Sequence, residues 1–306
     1  MISYSVAICI PLLNGGKLWN KCISAILDSE FKPNNILVID SGSTDGSDIL
    51  AVNAGFKLIR IDMNDFDHGG TRQMAAEQLK DYQIIIYMTQ DSILASPQAL
   101  GSLVSAFGDD KIGAAYGRQL PRKEANHIEA HARFFNYPDT SNKRTSLDIP
   151  KMGIKAAFMS NSFAAYRTKA LFEAGGFPDK IIFGEDTLVA ARMLQLGWSI
   201  VYTADAMVYH SHNNSILKEF KRYFDIGVMH RDQSWFIKLF GKPEGEGLRF
   251  IKSELAYLFK VSPWLIPEAF IRNFAKYAGY KIGQRAKYLP KTISRKLSLN
   301  ERYFER

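Results

Sequence analysis

The first 90 residues alternate between short apolar runs and longer segments with helical spacing, and this alternation limits the possible folds more than any other feature. The apolar runs are residues 5–10, 36–40, 56–62 and 84–88, and the helical segments between them are 17–29, 47–55 and 71–80. Strands that are apolar on both faces and separated by helices are typical of a parallel sheet covered on both sides. The pattern therefore predicts an α/β fold of the doubly wound, Rossmann-like kind.

The regular alternation fades after residue 117. Residues 117–156 are rich in charged residues and turn formers, so we expect a long irregular segment with a functional role. Strand and helix patterns return between residues 158 and 212, and the sequence beyond His212 is helical in pattern and basic. These changes predict two regions, an α/β domain over residues 1–212 and a basic helical region over residues 213–306.

Charge is distributed unevenly along the chain. Residues 1–210 hold 20 Lys and Arg against 22 Asp and Glu, whereas the remaining residues hold 19 against 9. The two cysteines lack the spacing of a zinc site or a disulfide framework, which favours a reducing cytoplasm. No apolar run approaches the roughly 20 residues that a membrane span needs, and the start of the chain is predicted to be a strand and not a signal peptide.

The segment DSGSTDGS, residues 40–47, follows the second apolar run and carries the strongest local signal. Functional loops of doubly wound sheets lie at the carboxyl ends of strands. Asp40 is well placed there to accept the N3–H of a uracil or thymine base, and Ser41 and Gly42 would let the backbone approach a ligand. The alternative is a capped turn between strand and helix, because Ser, Thr, Asp and Gly favour such turns in any case.

Several segments, in order and spacing, resemble the inverting family 2 glycosyltransferases, which have the GT-A fold. These segments are IPLLN (10–14), VIDSGSTDGS (38–47), TQDS (89–92) and FGEDTLVAARMLQLGW (183–198). The resemblance covers about residues 5–212 and implies a nucleotide-sugar-binding catalytic domain with a mostly parallel sheet. Two further segments, DFDHGGTRQMA (65–75) and RYFDIGVMHRDQSW (222–235), are similar to bacterial O-antigen rhamnosyltransferases.

The resemblance implies that the polar residues after the first four strands bind the nucleotide-sugar donor. The residues concerned are Pro11, Leu13, Asn14, Asp40, Ser41, Gly42, His68, Arg72 and Gln90. Arg72 would begin a helix and could pair with phosphate through two hydrogen bonds. His68 would help to shape the pocket for the donor sugar. The alternative for this loop is a chance histidine beside a solvated arginine.

The resemblance also implies a divalent cation, Mg²⁺ or Mn²⁺, on the donor diphosphate. TQDS stands where the family has an Asp-x-Asp type motif, so Asp91 would be the carboxylate ligand and the neighbouring positions lack the usual second acid. His210 would be an additional ligand after the last strand, with His212 as a competing candidate. Oxygen ligands suit both ions.

Gly184-Glu185-Asp186 precedes a predicted helix, and the resemblance makes Asp186 the general base toward the acceptor hydroxyl. Glu185 would bind or orient the acceptor beside it. A base is needed because a sugar hydroxyl is a weak nucleophile until its proton is removed. The alternative is that both carboxylates merely favour the positive end of a helix.

Taken together, these features predict an inverting transfer of L-rhamnose from dTDP-β-L-rhamnose to a polyprenyl-diphosphate-linked saccharide in O-antigen or surface polysaccharide synthesis. The basic region would bind an anionic membrane at the inner face of the cytoplasmic membrane of a bacterium, or pack on the core. No nucleic-acid motif accompanies its charge. The alternatives are another donor sugar, a sugar nucleotidyltransferase, which would need its glycine-rich loop after the first strand, and a non-enzymatic membrane-binding protein.

Overall fold

The computed structural model describes residues 4–305. Its strands are β1 (Val6–Leu12), β2 (Asn35–Asp40), β3 (Lys57–Arg60), β4 (Ile84–Met88), β5 (Ile93–Leu94), β6 (Ile112–Leu120), β7 (Asn142–Arg144), β8 (Phe163–Arg167) and β9 (Ser199–Tyr209). They form one sheet in the order β3-β2-β1-β4-β8-β6-β9-β5, with β7 paired to β9 outside this path. The strands β3, β2, β1 and β4 run parallel, and β6 is parallel to β9. The predicted α/β fold is confirmed.

Helices cover the sheet and make up most of the last third of the chain. They are α1 (Gly16–Leu27), α2 (Ser47–Asn53), α3 (His68–Gln78), α4 (Ala99–Ser105), α5 (His127–Asn136), α6 (Ile149–Met152), α7 (Thr168–Glu173), α8 (Glu185–Gln195), α9 (Ile216–Asp232), α10 (Ser234–Phe240), α11 (Glu244–Val261), α12 (Ile266–Gln284) and α13 (Lys291–Leu297). Short 3₁₀ turns lie between them, including Met63–Asp65 and, near the end of the described chain, Glu301–Phe304. None of the described helices is long and apolar enough to cross a bilayer.

The alternating apolar residues of the central strands divide into two cores, one on each face of the sheet. Cys9 and Ile85 belong to one buried cluster, whereas Ile8 and Ile86 belong to the other. Successive side chains of a strand point to opposite faces, so both faces of β1 and β4 must be covered. This is why these strands consist almost entirely of apolar residues.

Two predicted boundaries were wrong. Strand β1 continues through Pro11 to Leu12, because at Pro11 it pairs with β2 alone, so the missing N–H breaks no bond on the β4 side. The segment 117–156 is not irregular, since it contains the end of β6, all of α5 and β7, and α6. Asn126 caps α5 by accepting a hydrogen bond from the backbone N–H of Glu129 at 2.8 Å, a signal that was present in the sequence.

The basic region packs directly on the α/β domain. Phe224 and Phe236, from α9 and α10, lie in the same buried cluster as Cys9. Helices α9 and α12 approach so closely that a Cβ at Gly283 would collide with the carbonyl oxygen of Phe224. The packing of these helices on the core, which the sequence left open, is therefore present over α9, α10 and α12.

Candidate active site

The loops after β1, β2 and β4 are joined by hydrogen bonds. Gln90 Nε2 donates to the carbonyl oxygen of Leu13 at 2.9 Å, and its Oε1 accepts from the backbone N–H of Leu13 at 2.7 Å. Asn14 donates its backbone N–H to Ser43 Oγ at 2.9 Å and accepts from the N–H of Thr44 at 2.8 Å. Leu13, Asn14 and Gln90, three of the residues predicted to bind the donor, therefore come together at one edge of the sheet.

Asp40 lies buried at the carboxyl end of β2. Its Oδ2 accepts hydrogen bonds from the backbone N–H groups of Gly42 and Ser43, both at 3.1 Å. Its Oδ1 accepts only the longer bond from Ser43, at 3.3 Å. Ser41 is also buried and donates its hydroxyl to the carbonyl oxygen of Leu12 at 3.1 Å. Asp40 thus shapes this turn and keeps acceptor capacity on Oδ1.

Asp91, His210 and His212 converge on one point, although about 120 residues separate the aspartate from the histidines. His210 Nε2 lies 3.4 Å from Asp91 Oδ1, and His212 Nε2 lies 3.4 Å from Asp91 Oδ2. The two Nε2 atoms are 3.1 Å apart. Their ligand atoms all lie within 4.8 Å of one another. Among the described residues, 4–305, these three side chains are therefore the group that could hold a metal ion. The two histidines that competed in the sequence therefore both reach Asp91.

The orientation of His210 is fixed by Gln119. Arg133 can only donate, and its Nη1 lies 2.7 Å from Gln119 Oε1, so that atom is the amide oxygen. The same oxygen lies 2.9 Å from His210 Nδ1, which must therefore carry the proton. In the neutral ring, Nε2 then presents a lone pair toward Asp91. A hydrogen bond donated by one imidazole nitrogen, which leaves the other nitrogen bare, is the usual preparation of a metal-binding histidine.

The charges around this group agree with a cation site. Burial lowers the pKa of both histidines, to about 4 for His212, so both rings are neutral at pH 7. Burial would raise the pKa of the Asp91 carboxyl, but the polar side chains around it outweigh burial and hold the pKa below its usual range. Arg122 Nη2 bonds Asp91 Oδ2 at 2.9 Å and leaves Oδ1 facing His210. One carboxylate and two neutral imidazoles fit a divalent cation.

A polar pocket of about 270 Å³ adjoins this group. Its lining includes Arg122, His212, Asn213 and Lys218. Two cationic side chains and an amide beside a cation site are suited to the oxygens of a phosphate.

Glu185 and Asp186 form the first turn of α8, after Gly184. Gly184 has φ +82°, a backbone conformation that L side chains rarely adopt, and Met229 would crowd a Cβ there. Asn161 joins the two acids, because its Nδ2 donates to Glu185 Oε1 at 3.2 Å and its backbone N–H donates to Asp186 Oδ2 at 3.1 Å. Thr187 donates its backbone N–H to Asp186 Oδ1 at 2.7 Å. The orientation of the Asp186 carboxyl is thus set on both oxygens.

The two neighbouring acids have opposite pKa shifts. Burial and the charge of Glu185 raise the pKa of Asp186 to about 7. Burial would raise the pKa of Glu185 as well, but Arg72, whose Nη1 lies 3.2 Å from Glu185 Oε1, lowers it overall. Glu185 therefore stays ionised while Asp186 titrates near neutral pH. A pair of acids with separated pKa values is typical of a site for acid–base chemistry.

Arg72 is buried, and its Nη1 also donates to the carbonyl oxygen of His68 at 2.7 Å. In this structure its charge is directed to Glu185, and its predicted contact with phosphate remains untested. The close approach at Gly69 is to the protein itself, since a Cβ there would collide with the carbonyl oxygen of Pro178. The first glycine of this loop therefore serves packing.

A cavity of about 520 Å³ opens over Asp186. Its wall comes from six parts of the chain: the start of α3, the loop after β4, the turn before β8, the residues around the start of α8, helix α9, and the end of the described chain. The residues include His68, Arg72, Asn161, Glu185, Asp186, Arg222 and Leu299–Tyr303. A volume of this size suits a small ligand.

Sequence reasoning missed four contributors to the site. Gln119 lies at the carboxyl end of β6, and Arg122 follows that strand. This end of β6 falls in the segment that was expected to be irregular. Asn161 precedes β8, and the segment 299–303 comes from the far end of the chain. The rule that found the other loops, polar residues after each strand, would have found Arg122 had β6 been recognised.

Solved glycosyltransferases share this fold. The chain resembles the mannosyltransferase PcManGT of Pyrobaculum calidifontis, solved with GDP-Man and Mn²⁺, with a TM-score of 0.59 and 17% identity, over 99% of this chain and 86% of that one. It also resembles Staphylococcus aureus TarS, residues 1–349, solved with UDP-GlcNAc, with a TM-score of 0.55 and 14% identity, over 93% of this chain and 91% of that one. The predicted GT-A fold is confirmed.

Two curated relatives match nearly the whole chain. The O-antigen chain rhamnosyltransferase RfbN of Salmonella typhimurium is 44% identical over 98% of this chain and 96% of its own length. The O-antigen chain rhamnosyltransferase WbaN of Salmonella anatum is 41% identical over the same shares. Residues 7–173 match the model of glycosyl transferase family 2. This chain therefore belongs to glycosyltransferase family 2, as its sequence motifs predicted.

Proposed function

We propose that this glycosyltransferase moves L-rhamnose from dTDP-β-L-rhamnose to a polyprenyl-diphosphate-linked saccharide in bacterial O-antigen synthesis. The observation that carries the chemistry is the Asp186 carboxyl, held at a cavity wall with a pKa of about 7. The choice of rhamnose rests on the two curated relatives, which are rhamnosyltransferases of O-antigen chains. The reaction takes place in the cytoplasm, at the inner face of the cytoplasmic membrane.

Asp186 removes the proton of the acceptor hydroxyl as that oxygen attacks the anomeric carbon of the donor sugar. A base with a pKa near the working pH is efficient in this role. Hydrogen bonds from Asn161 and Thr187 hold the carboxyl in place, and Glu185 stays ionised through Arg72. Attack in one step inverts the anomeric centre, so a β-linked donor gives an α-rhamnoside.

Asp91, His210 and His212 would hold Mg²⁺ or Mn²⁺ beside the donor diphosphate. When bound, the cation supplies positive charge against the negative charge that grows on the diphosphate as the sugar leaves. Arg122 and Lys218, which line the adjoining pocket, add positive charge for the phosphate oxygens. Gln119 keeps His210 in the tautomer that this role needs.

The donor is tested by the thermal stabilisation that nucleotide sugars confer. With Mg²⁺ or Mn²⁺ present, we expect dTDP-rhamnose to raise the melting temperature, since a ligand at 100 times its Kd stabilises the folded state by about 2.7 kcal/mol. GDP-mannose should raise it little, because Asp40 is predicted to accept the N3–H of a pyrimidine base, and the larger guanine carries its N1–H donor at a different position relative to the ribose. UDP-sugars and dTDP-glucose complete the panel, and transfer of the stabilising sugar is then measured directly. A response to GDP-mannose alone would contradict the proposed donor.

The last third of the chain carries an exposed aromatic face, formed by Trp264, Phe270, Phe274 and Tyr277. Their exposed fractions lie between 54% and 73%. The last three follow one another at spacings of four and three on α12, so they share one side of the helix. Lys281 lies over the ring of Tyr277, at 5.6 Å from its centroid. Aromatic side chains beside basic ones suit the surface of an anionic bilayer, and we assign the predicted membrane contact to this face.

Replacing Phe274 by glutamate is expected to release the protein from vesicles of phosphatidylcholine and phosphatidylglycerol, with a loss of roughly tenfold in binding by co-sedimentation. The substitution puts a carboxylate where an apolar ring would enter the interface. Leu147→Glu is the matched control, because Leu147 is 88% exposed and lies in a 3₁₀ turn outside the basic region. Equal binding of both variants and the parent protein would exclude the aromatic face as the membrane contact.

A further inference from the structure

The end of the described chain lines the same cavity as Asp186. We call residues 298–305 the C-terminal strap, and five of them, Leu299–Tyr303, border the cavity. Asp186 is more than 110 positions earlier in the sequence. The strap is therefore brought to the site by tertiary packing alone, and its position depends on the contacts that hold it there.

Two acids of α9 hold the strap along its length. Asp225 is buried; its Oδ1 accepts the hydroxyl of Ser298 at 2.6 Å and its Oδ2 accepts the backbone N–H of Leu299 at 3.0 Å. Near the other end, Tyr303 Oη donates to Asp232 Oδ2 at 2.7 Å. Hydrogen bonds to carboxylates are among the stronger ones in proteins. The strap is thus fixed at both ends to a helix of the basic region.

The strap also touches the α/β domain on two sides of the cavity. Asn300 Nδ2 donates to the carbonyl oxygen of Ile182, in the segment before α8, at 3.4 Å. Arg302 Nη1 donates to the carbonyl oxygen of Met63, in the 3₁₀ turn after β3. The strap therefore spans from the segment that carries Asp186 to the loop that precedes α3, and it narrows the cavity between them.

The lining of the cavity indicates the kind of ligand that fits. Asn300, Glu301, Arg302 and Tyr303 contribute an amide, a carboxylate, a guanidinium and a phenol to a wall that also has the rings of Phe66 and Phe183. Convergent polar groups on a partly apolar wall suit a polyhydroxylated ring, whose hydroxyls need hydrogen bonds and whose C–H face is apolar. A saccharide is therefore the matching ligand class.

Most of the residues assigned to the donor lie outside the cavity, and the exceptions are His68 and Arg72. Asp40, Asn14, Asp91 and His210 do not line it, and from the loop after β4 only Thr89 does. Arg72 is paired with Glu185 in this structure. The hydroxyl that Asp186 deprotonates belongs to the acceptor, so we assign a sugar that meets both Asp186 and the strap to the acceptor.

We propose that the C-terminal strap forms part of the acceptor-sugar site, with Asn300 and Arg302 hydrogen-bonding to acceptor hydroxyls and so helping to select the acceptor. The proposal rests on the proposed function, since it takes Asp186 as the base toward that sugar. A site built to hydrogen-bond hydroxyls discriminates strongly against sugars that lack them, because its polar groups are then left unpaired.

The test is steady-state kinetics of full-length variants with a panel of polyprenyl-diphosphate-linked mono- and disaccharides. For Arg302→Ala and Asn300→Ala we expect the KM for the preferred acceptor to rise about tenfold, its advantage over the other acceptors to shrink, and the affinity for dTDP to stay as in the parent protein. Asn300→Ala removes only one long hydrogen bond, so it separates sugar binding from loosening of the strap. Lys296→Ala, an exposed change on α13 outside the cavity lining, is the matched control.

Unchanged acceptor KM in both folded variants would overturn the proposal, and so would a fall in dTDP affinity as large as the rise in acceptor KM. If dTDP-rhamnose proves not to be the donor, the same measurement is made with the nucleotide sugar that stabilises the protein. Failure of the donor assignment is thereby distinguished from failure of the strap assignment.

Discussion

Asp186→Asn is expected to lower kcat by a factor of roughly 10² to 10⁴, which is the usual contribution of a positioned general base. The asparagine cannot accept the proton of the acceptor hydroxyl, although it nearly preserves the size and place of the side chain. Affinity for dTDP should remain, because the nucleotide loops lie elsewhere on the sheet edge. Asp179→Asn is the matched control, since Asp179 is an exposed acid near the same helix with only a weak ion pair to Lys180.

The assignment of Asp186 as the base also predicts how the activity of the parent enzyme depends on pH. Burial and Glu185 raise the pKa of Asp186 to about 7, with Arg72 acting in the opposite sense, so kcat/KM should fall as pH drops below 7 and the base becomes protonated. The residual activity of Asp186→Asn should lack this step.

The pH dependence of the folding stability gives a control for misfolding of the Asp186→Asn variant. A raised pKa in the folded state means that stability is lost as pH rises through about 7, because ionising Asp186 beside Glu185 is unfavourable there. Asp186→Asn removes that cost but places an NH₂ group against one of the two backbone N–H donors, so its melting temperature should fall short of the parent's by less at pH 8 than at pH 5. Near-normal turnover in this variant would refute the role of Asp186.

Asp91→Asn is expected to weaken Mn²⁺ binding by roughly two orders of magnitude, about the upper loss seen when groups around a metal site are changed. The substitution removes the carboxylate charge that faces His210, and it also deprives Arg122 of its ionic partner. Binding is measured by titration calorimetry or by electron paramagnetic resonance of free Mn²⁺, with and without dTDP. Transfer activity should fall in parallel and should disappear in the parent protein when a chelator is added.

Two further variants separate the ligands of this group. His210→Ala should resemble Asp91→Asn, because Gln119 holds that ring with Nε2 toward the carboxylate. His212→Ala should weaken Mn²⁺ binding less, because the His212 side chain is partly exposed and fewer contacts hold it in place. Asp109→Ala, which removes an acid paired with Lys143 at the surface, is the control. Unchanged Mn²⁺ affinity in Asp91→Asn would exclude this group as the cation site.

Much of the α/β domain could be predicted from local pattern because its physical causes are local. Buried parallel strands must be apolar on both faces, and helices between them must carry one apolar side, so β1 to β4 and α1 to α3 were visible in the sequence. The region around β6 and α5 was not visible, because charged residues that are hydrogen-bonded inside the fold interrupt its apolar pattern. Arg118 donates to the carbonyl oxygen of Tyr137, and Arg133 donates to the side chain of Gln119.

The candidate site divides in the same way. The sequence by itself determined which polar loops follow the first four strands and that Asp186 begins a helix, because these features follow from short-range preferences. Only the tertiary structure decided that His210 and His212 both meet Asp91, that Arg72 pairs with Glu185, and that the C-terminal strap reaches the cavity. These contacts join residues far apart in the chain. Their geometry depends on how the sheet and the C-terminal helices pack against each other, and no local periodicity records that packing.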